Sequence, residues 1–155
     1  METVAVFNEH PVQTYGILLR HHLALLEARG DDPRPQVLAQ ARPPLEMIIC
    51  AAAWQEGEWW LKVCLPAEAV PRLQELAPAA GLRPEAPRPV SLLVLQGPHF
   101  GDRPGIAAAA LAGLEQAGVE PLLLQGAVHS LMLAVEPAQA ARAREGLGAY
   151  FSVPE

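Results

Sequence analysis

The chain has 155 residues, 51% of them hydrophobic and 18% charged, enough apolar side chain to bury a core in one ordinary domain or two very small ones. Its formal net charge is −6 and it has no basic run or basic helical face, so nucleic acid and anionic membranes are disfavoured as partners. Two cysteines make no disulfide framework, no apolar run is long enough to span a bilayer, and the opening METVAVFNEHPVQ lacks the basic start of a secretory signal, so a cytoplasmic location is expected.

In chain order, TVAVF (Thr3 to Phe7) is a short apolar run and predicts a strand. HPVQTYGILLRHHLALLEARG (His10 to Gly30) carries Tyr15, Leu18, Leu19, His22, Leu25 and Leu26 at helical spacing and predicts a helix, with Arg29 and Gly30 suited to its C-terminus. The proline-rich DDPRPQVLAQARPP reads as a loop. LEMIICAAAW and WWLKVCL read as a hairpin around QEGE. PAEAVPRLQELAPAAG reads as a helix with Pro71 near its start, and RPEAPRP as a connector.

The second half repeats the order. VSLLVLQ (Val90 to Gln96) predicts a strand and Arg103 to Ala117 a helix. PLLLQ and SLMLAV predict strands around GAVH, and PAQAARAREGLGAY a final helix weakened by Gly146 and Gly148. PAEA at Pro66 echoes PAQA at Pro137, and YGI at Tyr15 echoes PGI at Pro104. Both halves therefore read strand, helix, strand, strand, helix. The expected architecture is α+β: two ferredoxin-like βαββα(β) units, residues 1–86 and 87–155, with antiparallel sheets covered by helices.

The stretch GDRPGIAAAALAGLEQAGVE reads as a binding mouth. Asp102 can cap the first turn, Pro104 loses no hydrogen bond there, and Gly105 lets a ligand approach the backbone. The free N–H groups and the helix dipole favour an anion such as a carboxylate. A plain capped helix fits the same residues. Asp102 has two competing roles, because a carboxylate that caps the helix is not available to a ligand ammonium.

The segment from Val90 to Phe151 resembles an ACT domain, most closely those of aspartokinase regulatory regions. The residues that carry the resemblance are Gly97, Asp102, Pro104, Gly105, Ile106, Ala107, Leu114, Ala117, Gly118, Gln125, Gly126 and Ser130. Residues 3–87 resemble the family only in outline, with VQTYGI where the motif has Asp-x-Pro-Gly, and the usual extra N-terminal strand and kinase domain are missing from the expected elements. The resemblance implies an amino acid bound where two ACT units meet. Its candidate ligand-binding residues are Asp102, Arg103, Pro104, Gly105, Ile106, Gln125 and Gly126, and Gly105→Val is expected to block the site.

Other constellations carry less. His21 and His22 are adjacent and do not chelate, while His10, His99 and His129 lie in expected turns. With Cys50 and Cys64 they form no metal-ligand spacing, so no metal is expected. The hairpin has two possible registers. One sets Cys50 against Cys64 and Trp54 against Trp60, and the other pairs Trp54 with Trp59. No catalytic set or cofactor motif emerges. The expected function is a stand-alone, non-enzymatic tandem-ACT regulator that binds a small-molecule effector, an amino acid, at an ACT–ACT interface. It is expected to be a homodimer, with a biosynthetic enzyme as candidate partner. The alternative is an assembly module that dimerises without sensing.

Overall fold

The computed structural model describes residues 11–98 and 100–152. The expected strand Thr3–Phe7, His10 and His99 lie outside them. The elements in order are β1 (Val12–Gln13), β2 (Gly16–Gly30), α1 (Pro35–Ala39), β3 (Ile49–Gln55), β4 (Glu58–Pro66), α2 (Val70–Leu76), β5 (Arg83–Pro84) and β6 (Arg88–Gln96), followed by α3 (Ile106–Gln116), β7 (Leu123–Ala127), β8 (Ser130–Val135), α4 (Ala140–Gly148) and β9 (Phe151–Ser152). The fold is α+β, with β2 antiparallel to β4 and β5, β3 to β4, and β8 to β6 and β7.

From residue 11 on, the helix expected over His10 to Gly30 is instead the short strand β1 and the long strand β2. Leu23, Ala24, Leu25 and Leu26 are all buried, a continuous apolar run that fits a buried strand as well as a helix. Pairing decides between them. β4 lies against β2 from Leu23↔Pro66 to Gly30↔Trp59, and β5 takes its other side at Ala28↔Pro84 and Arg29↔Arg83. Those ladders outweigh the helical propensity of Leu, Ala, Arg and Glu. His22 interrupts the strand with φ 58, a left-handed conformation uncommon for a residue other than glycine.

The chain divides into two compact units. One is contiguous, residues 21–90. Its strand order is β3-β4-β2 with β5 on the far side of β2, and its core joins Ala24, Leu26 and Ala28 to Val63, Leu65, Val70 and Leu73. Within the proline-rich segment that reads as a loop, a five-residue α1 opens on Pro35, and Leu38 reaches this core. Pro71 sits in the first turn of α2, where its missing N–H costs nothing.

Its hairpin takes the second of the two registers. Trp54 faces Trp59, with ring centroids 5.6 Å apart at 73°, while Cys50 faces Val63 and Cys64 faces Ile49. Both cysteines are free, and partial burial pushes the Cys50 thiol above its ordinary pKa. Glu56 and Gly57 form the turn with φ 53 and 86, the pair of positive values that a two-residue I′ hairpin requires. A Cβ on Gly57 would meet nothing within 4 Å, so only the backbone penalises a side chain there. Gly57→Ala should therefore cost about 1–2 kcal/mol in urea unfolding, and an unchanged midpoint would contradict this turn. Arg29 lies 3.7 Å above the Trp60 ring and donates from Nε to Glu85 at 3.1 Å, while Arg83 donates to Glu58 at 2.7 Å. These exposed links tie β2, β4 and β5 at modest energy.

The second unit is split, residues 11–20 with 91–152. The sequence division at residues 86 and 87 differs from this one because the N-terminal segment bonds to the C-terminal part of the chain. β1 runs parallel to β9, Val12 N–H donates to the Tyr150 carbonyl at 2.8 Å, and the Thr14 hydroxyl donates to the Ser152 carbonyl at 2.7 Å. Tyr15 N–H then donates to the Gln96 carbonyl at 2.7 Å, leading β2 in beside β6. The order β2-β6-β8-β7 gives this unit its fourth strand from the N-terminal segment, while β9 pairs with β1. Leu93, Leu95, Leu131 and Leu133 meet Ile106, Ala110, Leu114, Ala143 and Leu147 of α3 and α4 to form the core.

Candidate functional site

The loop after β6 is shaped by two glycines. A Cβ on Gly97 would come within 2.8 Å of Phe100 ring atoms, so glycine here makes room for that ring. The Phe100 ring then packs 6.3 Å from Phe151, centroid to centroid. Gly101 N–H donates to the Val128 carbonyl at 2.8 Å, and a Cβ on Gly101 would stand 3.1 Å from Val128 backbone. The loop is thereby held against the β7–β8 turn.

The helix begins later than expected. Gly105, not a residue with a side chain, occupies the N-cap, in a left-handed conformation with φ 87. That value explains the glycine. Asp102 stands three positions before the N-cap and Pro104 one before it, both exposed and in the turn, so Pro104 is outside the helix and not in its first turn. Ala109 N–H reaches the Gly105 carbonyl at 2.9 Å, closing the first intrahelical bond. The N–H groups of Ile106, Ala107 and Ala108 have no acceptor within the helix and point out of its mouth.

An open cleft of about 210 Å³ lies at this mouth, lined by Arg103, Gly105, Ile106 and Gly126 among the expected residues. Phe100, Ala107, Ala127, Ser130 and Leu131 complete it. Its size is below the roughly 300–1,000 Å³ of sites for drug-sized ligands and suits a smaller molecule. The walls are largely apolar, with Arg103 the charged side chain and the Ser130 hydroxyl a second polar group.

Asp102, Pro104 and Gln125 do not line this cleft. Gln125 pairs with Met132, one step out of phase with the pairs Leu124↔Leu133 and Gly126↔Leu131. Leu124, Leu131 and Leu133 pack with the helices, so Gln125 is on the opposite sheet face. Its Oε1 is shut from solvent and accepts no hydrogen bond among the described residues. Phe100, Ala107, Ala127, Ser130 and Leu131 line the cleft without being among the expected ligand-binding residues, and Phe100 is the largest of them. An aromatic flanked by Gly97 and Gly101 in GPHFG was its signal.

Among the described residues no cluster of three or more His, Cys, Asp or Glu side chains has the arrangement of a metal site, and no helix is long and apolar enough to cross a membrane. No family model and no curated protein matches the sequence. Solved structures do match. The regulatory subunit of aspartate kinase from Thermus thermophilus, in its ligand-free form, has a TM-score of 0.73 at 13% identity, over 88% of this chain and 97% of that one. The regulatory subunit from Thermus flavus gives 0.71 at 13% identity, over 87% and 96%. Aspartokinase III of E. coli, in complex with aspartate and ADP, gives 0.65 at 18% identity, over 92% of this chain and 34% of the enzyme. The likeness is one of fold, and it runs the length of the regulatory subunits: the chain has the ACT-type α+β fold of the regulatory parts of aspartate kinases.

Proposed function

We propose that this chain is a non-enzymatic regulatory module, cytoplasmic and homodimeric, that binds a small carboxylate-bearing effector, an amino acid, in the cleft at the start of α3. The observation that carries the reading is the left-handed Gly105 at the N-cap, which leaves backbone donors at the mouth of a cleft bordered by Arg103. A carboxylate in the cleft would take those donors and the Arg103 charge. Asp102 and Pro104, in the turn before the helix, are kept as members of the wider site, which a facing ACT unit of another copy would complete, while Gln125 lies on the opposite sheet face.

Magnitudes require that second contribution. A helix terminus supplies about 0.3–1 kcal/mol when exposed and up to roughly 2 when partly buried, whereas micromolar affinity needs about 8 kcal/mol. Closure over the ligand supplies the difference, and the change in packing is what a partner, a biosynthetic enzyme, would read. A second reading, assembly without sensing, is favoured by the largely apolar lining of the cleft.

A thermal-shift panel of amino acids, aspartate included, separates the two. An effector at 100 times its Kd stabilises by about 2.7 kcal/mol, which at this length raises Tm by about 5–10 °C. One responding amino acid supports the effector reading. A flat panel with a stable dimer supports the assembly reading.

A further inference from the structure

The residues around the mouth of α3 lie at two depths. Phe100, Ile106 and Leu131 line the cleft yet are only 6%, 6% and 3% exposed, so they form its floor. Gly105, Ala107, Gly126 and Ala127 are exposed and form its rim. Ile106 and Leu131 are fixed by the hydrogen bonds of α3 and β8. Phe100 is fixed by packing alone. It comes from the loop, its ring fits against Gly97, where a Cβ would come within 2.8 Å, and it lies 6.3 Å from the ring of Phe151, itself 1% exposed. A ring so confined is a firm wall, and packing this close responds to a single methylene.

We propose that Phe100 is the specificity-determining residue of this cleft: its ring ends the space open to the effector side chain and restricts the effector to amino acids whose side chain is short and uncharged. The inference rests on the effector reading above and names the class of effector within it. Volume sets the length. The cleft of about 210 Å³ holds the liquid volume of about seven water molecules. Once the nitrogen, the α-carbon and the carboxylate of an amino acid are placed, room remains for roughly two to four side-chain atoms. Charge sets the chemistry. Among the described lining residues Arg103 is the charged one, and none is Asp, Glu or Lys. With the α-carboxylate at the helix mouth, a side-chain carboxylate would be a second anion on one cation. A side-chain ammonium would find no acid and would be repelled by Arg103. Either charge would lose its water against the apolar floor.

Titration calorimetry with a homologous series is the test: alanine, 2-aminobutyrate, norvaline, norleucine and 2-aminoheptanoate, each longer than the last by one methylene. In wild type the affinity should rise by about fourfold per carbon, the worth of a buried methylene, as far as norvaline or norleucine, and drop by about 10-fold or more at the next member. Lysine and glutamate should bind at least about 10-fold more weakly than norleucine. Phe100→Leu shortens the wall and should move the maximum to a member about one or two carbons longer, with alanine affinity changed by less than about threefold. Nuclear Overhauser contacts from the terminal methyl of norvaline to the Phe100 ring are expected in wild type, and they decide the matter if Phe100→Leu fails to fold. A series bound by wild type and lost in Gly126→Val, but with the same maximum in Phe100→Leu or with methyl contacts away from the Phe100 ring, would overturn this proposal and leave the regulatory reading standing. Lysine or glutamate bound as tightly as norleucine would overturn it too. A wild type that binds no member would overturn both.

Discussion

Gly146→Leu should unfold the split unit or leave it severely destabilised. α3 and α4 touch backbone to backbone: a Cβ on Gly146 would overlap the Gly113 carbonyl oxygen and stand 2.8 Å from the Ala117 Cβ. Reciprocally, a Cβ on Gly113 would stand 2.7 Å from the Gly146 carbonyl oxygen. A helix backbone held by its own hydrogen bonds cannot give way as a flexible side chain can. Overpacking of one or a few methylenes costs about 1–3 kcal/mol and occasionally more, against a total stability of about 5–15 kcal/mol for a domain. Gly146→Ala is the finer test, because helix propensity alone would favour alanine by about 1 kcal/mol. The clash should reverse that sign. Gly148, on the same helix, has open space around its missing Cβ, so Gly148→Ala should stabilise by up to about 1 kcal/mol. Urea midpoints of the three variants check this, and a Gly146→Ala protein as stable as Gly148→Ala would contradict the close crossing.

Gly126→Val should abolish effector binding without harming the fold. Gly126 lines the cleft from β7, a Cβ there meets nothing within 4 Å, and its φ is not among the positive ones. Valine suits a strand, by up to about 1 kcal/mol on strand-propensity scales. Its methyl groups would occupy space between Gly105, Ile106 and Leu131. An affinity loss of about 100-fold or more, roughly 2.7 kcal/mol, is expected in titration calorimetry, with a melting temperature equal to or above wild type. Gly105→Val, the substitution that the sequence alone suggests, is the poorer test. Its site also has open space, but at φ 87 a β-branched residue strains the backbone, so lost binding would not separate a blocked cleft from a displaced helix start.

Much of the second half could be read from sequence. SLMLAV and PLLLQ are short apolar runs around a turn, and the alanine-rich segment has strong helix propensity, so strands β7 and β8 and the body of α3 appear where expected. The start of α3 was misplaced by three residues because Asp102 and Pro104 imitate an N-cap and first turn, while the left-handed Gly105 ends the preceding turn. Gln125 and Gly126 are adjacent on a strand, so their side-chain directions are opposite, and the Gln125 side chain leaves the face that Gly126 shares with Leu131. The family motif had grouped them. The stretch from His10 to Gly30 departs from its helical pattern for a different reason. A run such as LALLEARG fits helix and buried strand alike, and the choice rests on β4 and β5, which arrive more than twenty residues later in the chain. No local signal carries that information.

The central claim is that an amino acid binds at the start of α3. Calorimetric titration of the wild-type chain, beside Gly126→Val, with whichever amino acid raises the melting temperature tests it most directly. The account predicts saturable binding to wild type and its loss in Gly126→Val. Equal affinity in the two proteins, or no binding to wild type by any member of a broad panel, would contradict it.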